Sequence, residues 1–361
     1  MNLELDGEQV ALRDTVRQFL AERASVSGHV RPMLDDPTGT TPAVWRGLAE
    51  LGATGVLVPA EFGGTDMTMV EAGIVAEELG AALHPGPWLS TAVAAARVLT
   101  AAGGQAAGDL LTGIADGTRV VTVLGLGEQT EKLLVSGENG GFCVCSPPLA
   151  APDAAAADVL LVLDGSALFA VESAAAGVSV TAERGIDQTR KQFRVELDDA
   201  SAQRLGTLSA DDVQAVTDDV LIAAAADALG AARAVMQMAI EYAKTRTQFG
   251  APIGSFQAIQ HLCVDMFETV ELARSGVIHA LWAAENSAAE RHLAAIRAKA
   301  FAGRLAAVGD TAIQVFGGIG YTWEHDAHLY LKRLLSWSAF GGGSDRYLIE
   351  VGTRLAAKGP G

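Results

Sequence analysis

Arg246 stands in the segment Arg246-Thr-Gln-Phe-Gly250, and a glycine-rich turn, Gln314-Val-Phe-Gly-Gly-Ile-Gly-Tyr321, follows later in the chain. A guanidinium is a planar fork of donors that grips phosphate oxygens in pairs. Glycines let backbone N–H groups come close to an anion. Alone, the arginine reads equally well as a solvated helix end, and the glycines as a bare turn between helices. Together they suit the phosphates of a dinucleotide. Two further groups have donor chemistry. Glu324-His325-Asp326 with His328 has the residue types of a metal or acid–base cluster. Cys143 and Cys145, two apart, would share one face of a strand. No other ligand cluster accompanies the cysteines, so two small strand residues is the better reading.

The elements that must position these residues fall into three stretches: 1–117, 118–208 and 209–361. In the first, Asp6 is placed to cap a helix carrying Val10, Leu12, Val16, Phe19 and Leu20. Thr41 is the N-cap and Pro42 the first residue of a second helix, where a missing N–H costs nothing. Gly63-Gly64 opens a loop before a helix at Met69–Leu79, and His84-Pro-Gly-Pro87 is a strong break before alanine-rich helices at 89–102 and 105–116. Between them Gly117 and Leu208 bound short β-branched or alternating runs: Arg119–Leu124, Lys132–Val135, Gly141–Cys145, Val159–Leu163, Ala167–Val171 and Gln192–Leu197. They predict a small antiparallel β domain, with Gly165-Ser166 as a hairpin turn and the alanine-rich run 150–157 as a loop. The last stretch predicts one long helix over 211–245, then another whose buried face is Ile259, Leu262, Cys263, Met266, Phe267, Val270 and Ala273. A helix at 288–315 follows, and two shorter ones flank Gly341-Gly-Gly343. Long antiparallel helices of this kind pack as a four-helix bundle. Helices, then strands, then helices is an α+β layout.

Composition narrows the function classes. Half of the 361 residues are apolar, enough for a large core. The formal charge of −17 disfavours nucleic acid and anionic lipid as partners, though a local basic patch can still hold an anionic ligand. The start of the chain lacks the basic and apolar regions of a signal peptide. The apolar stretch 220–236 is interrupted by Asp227 and Arg233, so no membrane span is expected. Three cysteines build no disulfide framework. The expectation is a cytoplasmic protein.

The two opening segments, with Trp45-Arg-Gly-Leu-Ala-Glu-Leu-Gly52, Val58-Pro-Ala-Glu-Phe-Gly-Gly64 and Glu77-Glu-Leu-Gly80, resemble the acyl-CoA dehydrogenase family of flavoenzymes. The resemblance implies the same three-part layout. It also implies α,β-oxidation of an acyl-CoA thioester, in which a carboxylate takes the α proton and the β hydrogen leaves as hydride to a flavin. Family members are usually tetramers built from dimers, each FAD lying at a dimer interface. By the resemblance, Arg246, Gln248 and Phe249, then Gln257, then Gln314, Gly317 and Gly318 reach the pyrophosphate and adenine end of the FAD held by a neighbour. Tyr321 and Trp323 would line the acyl or CoA path, and the Glu324–His328 cluster becomes structural or substrate-lining.

Other positions depart from the family. Where the flavin-covering loop belongs, this chain has Val123-Leu-Gly-Leu-Gly-Glu-Gln129; where a Trp-x-Thr strand belongs, it has Ser146-Pro-Pro148. Prolines supply no N–H donors. Asp187-Gln-Thr-Arg190 still matches a family turn. The two family positions for the catalytic glutamate are Gly341, 27 residues after Gln314, and Val220, 26 before Arg246. Asp219 is the surrogate nearest to hand, but one helical step turns a side chain by about 100°, and Asp218-Asp219 read better as a solvated, acidic helix start. Contacts to a neighbour's FAD are kept while those to the chain's own flavin and base are lost. The expected function is therefore a subunit of an α2β2 acyl-CoA dehydrogenase, acting on an acyl-CoA such as a steroid side-chain thioester. A homologous catalytic subunit and an electron-transfer acceptor would be its partners. The alternatives are a self-sufficient homotetramer with Asp219 as base, and a non-catalytic scaffold.

Overall fold

A computed structural model describes residues 4–126, 133–137 and 141–357. Helix α1 (Gly7–Arg23) starts where expected: the Asp6 carboxylate accepts the Glu8 and Gln9 N–H groups while the Gln9 side chain returns to Asp6 N. This capping box satisfies donors that the first turn leaves open. The short α2 (Arg31–Met33) is followed by α3 (Pro42–Glu50), where Thr41 Oγ1 accepts from Val44 N at 3.3 Å. Next come α4 (Met69–Ala81), α5 (Ala96–Ala102) and α6 (Gln105–Ala115). Residues Leu89–Ala95, expected as regular α-helix, are wound as a π-helix, with Thr91 Oγ1 bonded to both Val121 backbone groups.

The middle of the chain forms a seven-stranded sheet from β1 (Val121–Val123), β2 (Leu134–Ser136), β3 (Phe142–Pro152), β4 (Val159–Asp164), β5 (Ala167–Glu172), β6 (Val178–Glu183) and β7 (Gln192–Thr207). The order is β1-β4-β5-β7-β3-β2, with β6 also on β7. Its core is Val144, Leu160, Val162, Val171, Val195 and Ala200, all fully buried, with Phe169 and Phe193. The Gly165-Ser166 hairpin joins β4 to β5, with Gly165 at φ 58°. Three expectations are corrected. The sheet is not wholly antiparallel, because β1 pairs with β4 in parallel. Strand β6 was not foreseen: it has one packed face at most and is largely exposed, so it carries little apolar signal. Residues 150–152 are strand, not loop, since Leu149–Pro152 pair with β7.

The C-terminal helices are α7 (Ala210–Thr245), α8 (Gln257–Asn286), α9 (Ala288–Ala300), α10 (Ala302–Phe316), α11 (Ala327–Ala339) and α12 (Gly343–Ala357). Between α7 and α8 lies a small hairpin of β8 (Thr247–Gln248) and β9 (Ala251–Pro252). The single helix expected over 288–315 breaks at Phe301, which lets α9 pack on α8 and α12 while α10 packs on α11. Phe267 lies outside the buried stripe of α8; the inward residues are Met266, Val270, Ala273 and Val277, and Phe267 is 54% exposed.

Contacts divide the chain into two units, one holding residues up to 26, 73–84 and 221 onward, the other 27–72 and 85–220. In the first, α4 and α7 cross closely: a Cβ on Gly80 would run into Asp227 O, and one on Gly230 into Glu77 O. The buried Glu78 receives Arg17 at 2.8 Å and Arg233 at 2.9 Å, and Glu77 receives Arg233 at 3.0 Å. The Glu77–Gly80 segment is thus a structural signature. In the second unit, Lys191 Nζ donates to Met33 O and Leu34 O at 2.8 and 2.7 Å, and Trp45 Nε1 donates to Gly117 O at 3.1 Å. The Asp187–Arg190 turn is closed by Asp187 Oδ1, which accepts from Thr189 N and Oγ1.

Candidate functional site

The end of α7 sets the geometry. Arg246 N donates to Tyr242 O at 2.8 Å, and Arg246 O accepts from Ile253 N at 2.8 Å, so the β8–β9 hairpin folds back on the helix end. The hairpin tip is Phe249-Gly250, both with positive φ (53° and 80°). Two such residues make the tight turn that matches strand twist. A phenylalanine there is strained by about 1–2 kcal/mol, and its ring is 94% exposed. The ring meets Phe256 edge-on, at 6.1 Å between centroids. Strain and exposure in one aromatic residue point to a contact made outside this chain.

The second segment meets the first through a ring contact. Tyr242 and Phe316 lie 5.1 Å apart between centroids, which brings the ends of α7 and α10 together. Gln314 is exposed on the last turn of α10. Gly317 follows at φ 65°, and neither it nor Gly318 has any atom near the position of a Cβ. Gln257 is exposed at the first position of α8, just past the 253–255 turn, whose Gly254 packs on Ala243. Arg246, Gln248, Phe249, Gln257, Gln314, Gly317 and Gly318 therefore gather around one end of the helical unit, all exposed. Arg246 makes no ion pair among the described residues. An unpaired guanidinium and an open glycine turn, at the ends of two helices held together by Tyr242 and Phe316, are each suited to a phosphate group.

Both histidines of the 321–328 cluster make packing contacts. His325 packs on Phe316 at 4.3 Å and its Nδ1 accepts from Ala327 N at 3.1 Å, shaping the start of α11. His328 packs edge-on to Trp323, and Lys332 Nζ lies 4.6 Å over the Trp323 ring. Tyr321 and Trp323 keep 70% and 57% of their surface exposed. Among the described residues no group of three His, Cys, Asp or Glu side chains is placed to hold a metal.

The two positions expected for a base, Gly341 and Val220, hold no carboxylate. Gly341 has φ 66° in the turn between α11 and α12, and Val220 is a buried apolar residue. Asp218 and Asp219 are not a solvated helix start: α7 begins at Ala210, where Ser209 and Asp212 cap it, and the two aspartates lie further in, only 1% and 2% exposed. Asp219 is ion-paired with Arg97 at 3.1 Å, and Asp218 accepts from Gln214 at 3.0 Å. The Asp219 carboxylate is thus committed to an arginine. In β3 the pairing register slips between Ser146 and Leu149, and Pro147 and Pro148 are exposed at that irregularity, beyond the reach of β2. Of the Val123–Gln129 loop, residues 124–126 form a turn and 127–129 lie outside the described residues, as does Lys132.

Lys299, unforeseen from sequence, is fully buried beside the Gly341 turn. Its Nζ donates to Trp337 O and to Ser338 O, and lies 4.1 Å over the Trp337 ring. It satisfies carbonyls that the end of α11 leaves open. Burial lowers its pKa to about 8. The unfolded chain therefore holds more protons than the folded one between about pH 8 and the ordinary lysine value near 10.4. Burying the cation penalises folding fully below that window, and the penalty fades as pH rises through it. Thermal midpoints of wild type and Lys299→Met should show wild type gaining on the variant from pH 8 to pH 10; a constant gap would contradict the shift.

Sequence comparison gives the family. Residues 6–118 match the model described as acyl-CoA dehydrogenase, N-terminal domain, and residues 221–356 the model for the acyl-CoA dehydrogenase C-terminal domain. The acyl-CoA dehydrogenase IpdE2 of Mycolicibacterium smegmatis is 33% identical over 90% of this chain and 92% of its own length. The chain belongs to the acyl-CoA dehydrogenase family. Members of that family are FAD-dependent oxidoreductases. Among solved structures, a variant of the Tcur3481–Tcur3483 steroid ACAD is similar with a TM-score of 0.85 and 28% identity, covering 97% of this chain and 98% of the other. The ChsE4–ChsE5 complex from Mycobacterium tuberculosis is similar with a TM-score of 0.88 and 25% identity, each chain covered fully at 100%. The α+β fold, with N-terminal helices, a middle sheet and C-terminal helices, is that of the family. No helix among the described residues is long and apolar enough to cross a membrane.

Proposed function

We propose that this chain is one subunit of a heteromeric, FAD-dependent acyl-CoA dehydrogenase, and that it completes the FAD site of a homologous partner that carries the catalytic glutamate. The observation behind this reading is the contrast between two turns of the same helical unit. At Arg246 and Gly317–Gly318 a free guanidinium and an open glycine backbone suit a pyrophosphate. At Gly341, a family station for the base, there is no side chain and a left-handed backbone. The fit to FAD is thus one-sided. The exposed prolines of β3 offer no donors to a flavin edge, whereas the helix-end residues offer what the adenine and pyrophosphate end needs.

In this reading Arg246 neutralises phosphate charge, Gln248, Gln257 and Gln314 donate side-chain amides, and Phe249 packs its exposed ring against the partner or the adenine. Bound FAD supplies the acceptor for the hydride from the β carbon. The proton at the α carbon goes to the partner's glutamate, since Asp219 is tied to Arg97 here. A separate electron-transfer acceptor takes the electrons onward. The similarity to a steroid ACAD and to a two-protein complex supports a heteromeric assembly and a bulky acyl group, such as a steroid side-chain CoA thioester.

The test is anaerobic mixing with an acyl-CoA, followed by flavin absorbance. The chain co-assembled with a homologous partner is expected to bleach, and the chain alone, supplied with FAD, is not. Bleaching by the chain alone would overturn the assignment and return attention to Asp219.

A further inference from the structure

One side chain governs the Gly341 turn. Tyr347, on the second turn of α12, is 7% exposed, and its hydroxyl donates back to Gly341 O at 2.8 Å. A Cβ on Gly341 would stand 2.8 Å from that hydroxyl oxygen, 3.8 Å from Tyr347 Cζ and 3.6 Å from Leu221 Cδ2. Carbon–oxygen contacts settle at about 3.3 Å or more, so the oxygen must shift, at the expense of its hydrogen bond to Gly341 O. The Arg346 guanidinium lies over the Tyr347 ring at 5.7 Å, and Lys299 Nζ is 6.0 Å from its centroid. The next two glycines differ. A Cβ on Gly342 would meet the Arg346 side chain at 3.3 Å, and one on Gly343 would meet nothing. All three have left-handed φ, 66°, 100° and 78°. Backbone strain is common to the three; exclusion by the phenol belongs to position 341 alone.

We infer that Tyr347 is the residue that keeps position 341 free of a side chain, so that the missing base is built into the packing of α12 rather than being one replaceable residue. Only the equation of position 341 with the base station rests on the proposed function; the steric coupling rests on the packing of Tyr347 against Gly341. A side chain returned to 341 meets the phenol at its first carbon, and Tyr347 must move or change with it.

A double-mutant cycle on the full chain tests this. Gly341→Ala and, as control, Gly343→Ala are each made in wild type and in Tyr347→Phe, and thermal midpoints are measured. Gly341→Ala is expected to lower the midpoint, and Tyr347→Phe to return part of that loss, while Gly343→Ala costs the same in both backgrounds. Additive effects at 341, or equal rescue at 343, overturn the inference. Should Gly341→Ala fold in neither background, amide exchange of Tyr347→Phe alone decides. Faster exchange at residues 341–344 with the 317–321 turn unchanged supports the coupling, and unchanged exchange at 341–344 overturns it. None of these readouts involves flavin or acyl-CoA, so the subunit assignment is judged separately, by bleaching.

Discussion

Arg246→Ala is expected to strip FAD from the assembled enzyme while leaving the chain folded. A charge-assisted hydrogen bond contributes about 1.5–3 kcal/mol, which corresponds to roughly a 10- to 150-fold weaker affinity. The fold should not notice, because Arg246 is exposed and its backbone bonds to Tyr242 and Ile253 survive the change. Surface substitutions of this kind stay within about 0.5 kcal/mol of stability. Arg246→Lys should recover only part of the affinity, since an ammonium keeps the charge but loses the two-pronged grip. Flavin content and thermal midpoint, measured on the same preparations, separate the two effects. Flavin retained in full by Arg246→Ala would remove the arginine from the site.

Arg333→Leu should do the opposite: destabilise the chain strongly, through a buried ion pair. Arg333 is 2% exposed, and its Nη1 donates to both oxygens of Asp227 at 3.0 Å while Nη2 donates to His84 O at 3.1 Å. Asp227 is itself 5% exposed. Removing one partner leaves a buried charge uncompensated, at a cost of about 3–5 kcal/mol. Replacing both with apolar residues removes that charge, so Asp227→Leu with Arg333→Leu should be far less damaging than either alone. The urea midpoints of the four proteins give the answer. A double variant as unstable as the sum of the singles would show that packing, not charge, carries the effect.

What was legible in the sequence follows from range. Caps and turns are local, so Asp6, Thr41-Pro42 and Gly165-Ser166 announced themselves. Long periodic helices did too, and the family motifs supplied the order of the three parts. Burial set by distant residues did not. The Asp227–Arg333 pair spans 106 positions, and nothing near Asp227 names its partner. Asp218-Asp219 looked like a solvated helix start because acidic residues favour that place; Arg97, far away in sequence, draws Asp219 inside. Lys299 looked like any lysine on an alanine-rich helix until α11 was laid over it. At the site, the types of Arg246 and Gly317 were readable, but the meeting of the two helix ends that carry them depends on Tyr242 packing on Phe316. The exclusion at Gly341 depends on a phenol six residues on, folded back from α12.

The measurement closest to the central claim is flavin content per chain together with native mass, for the protein purified alone and after co-expression with a homologous family member. A chain that completes a partner's site should be colourless alone and should give a mixed tetramer with one flavin for every two chains. One flavin per chain in a homotetramer would contradict it.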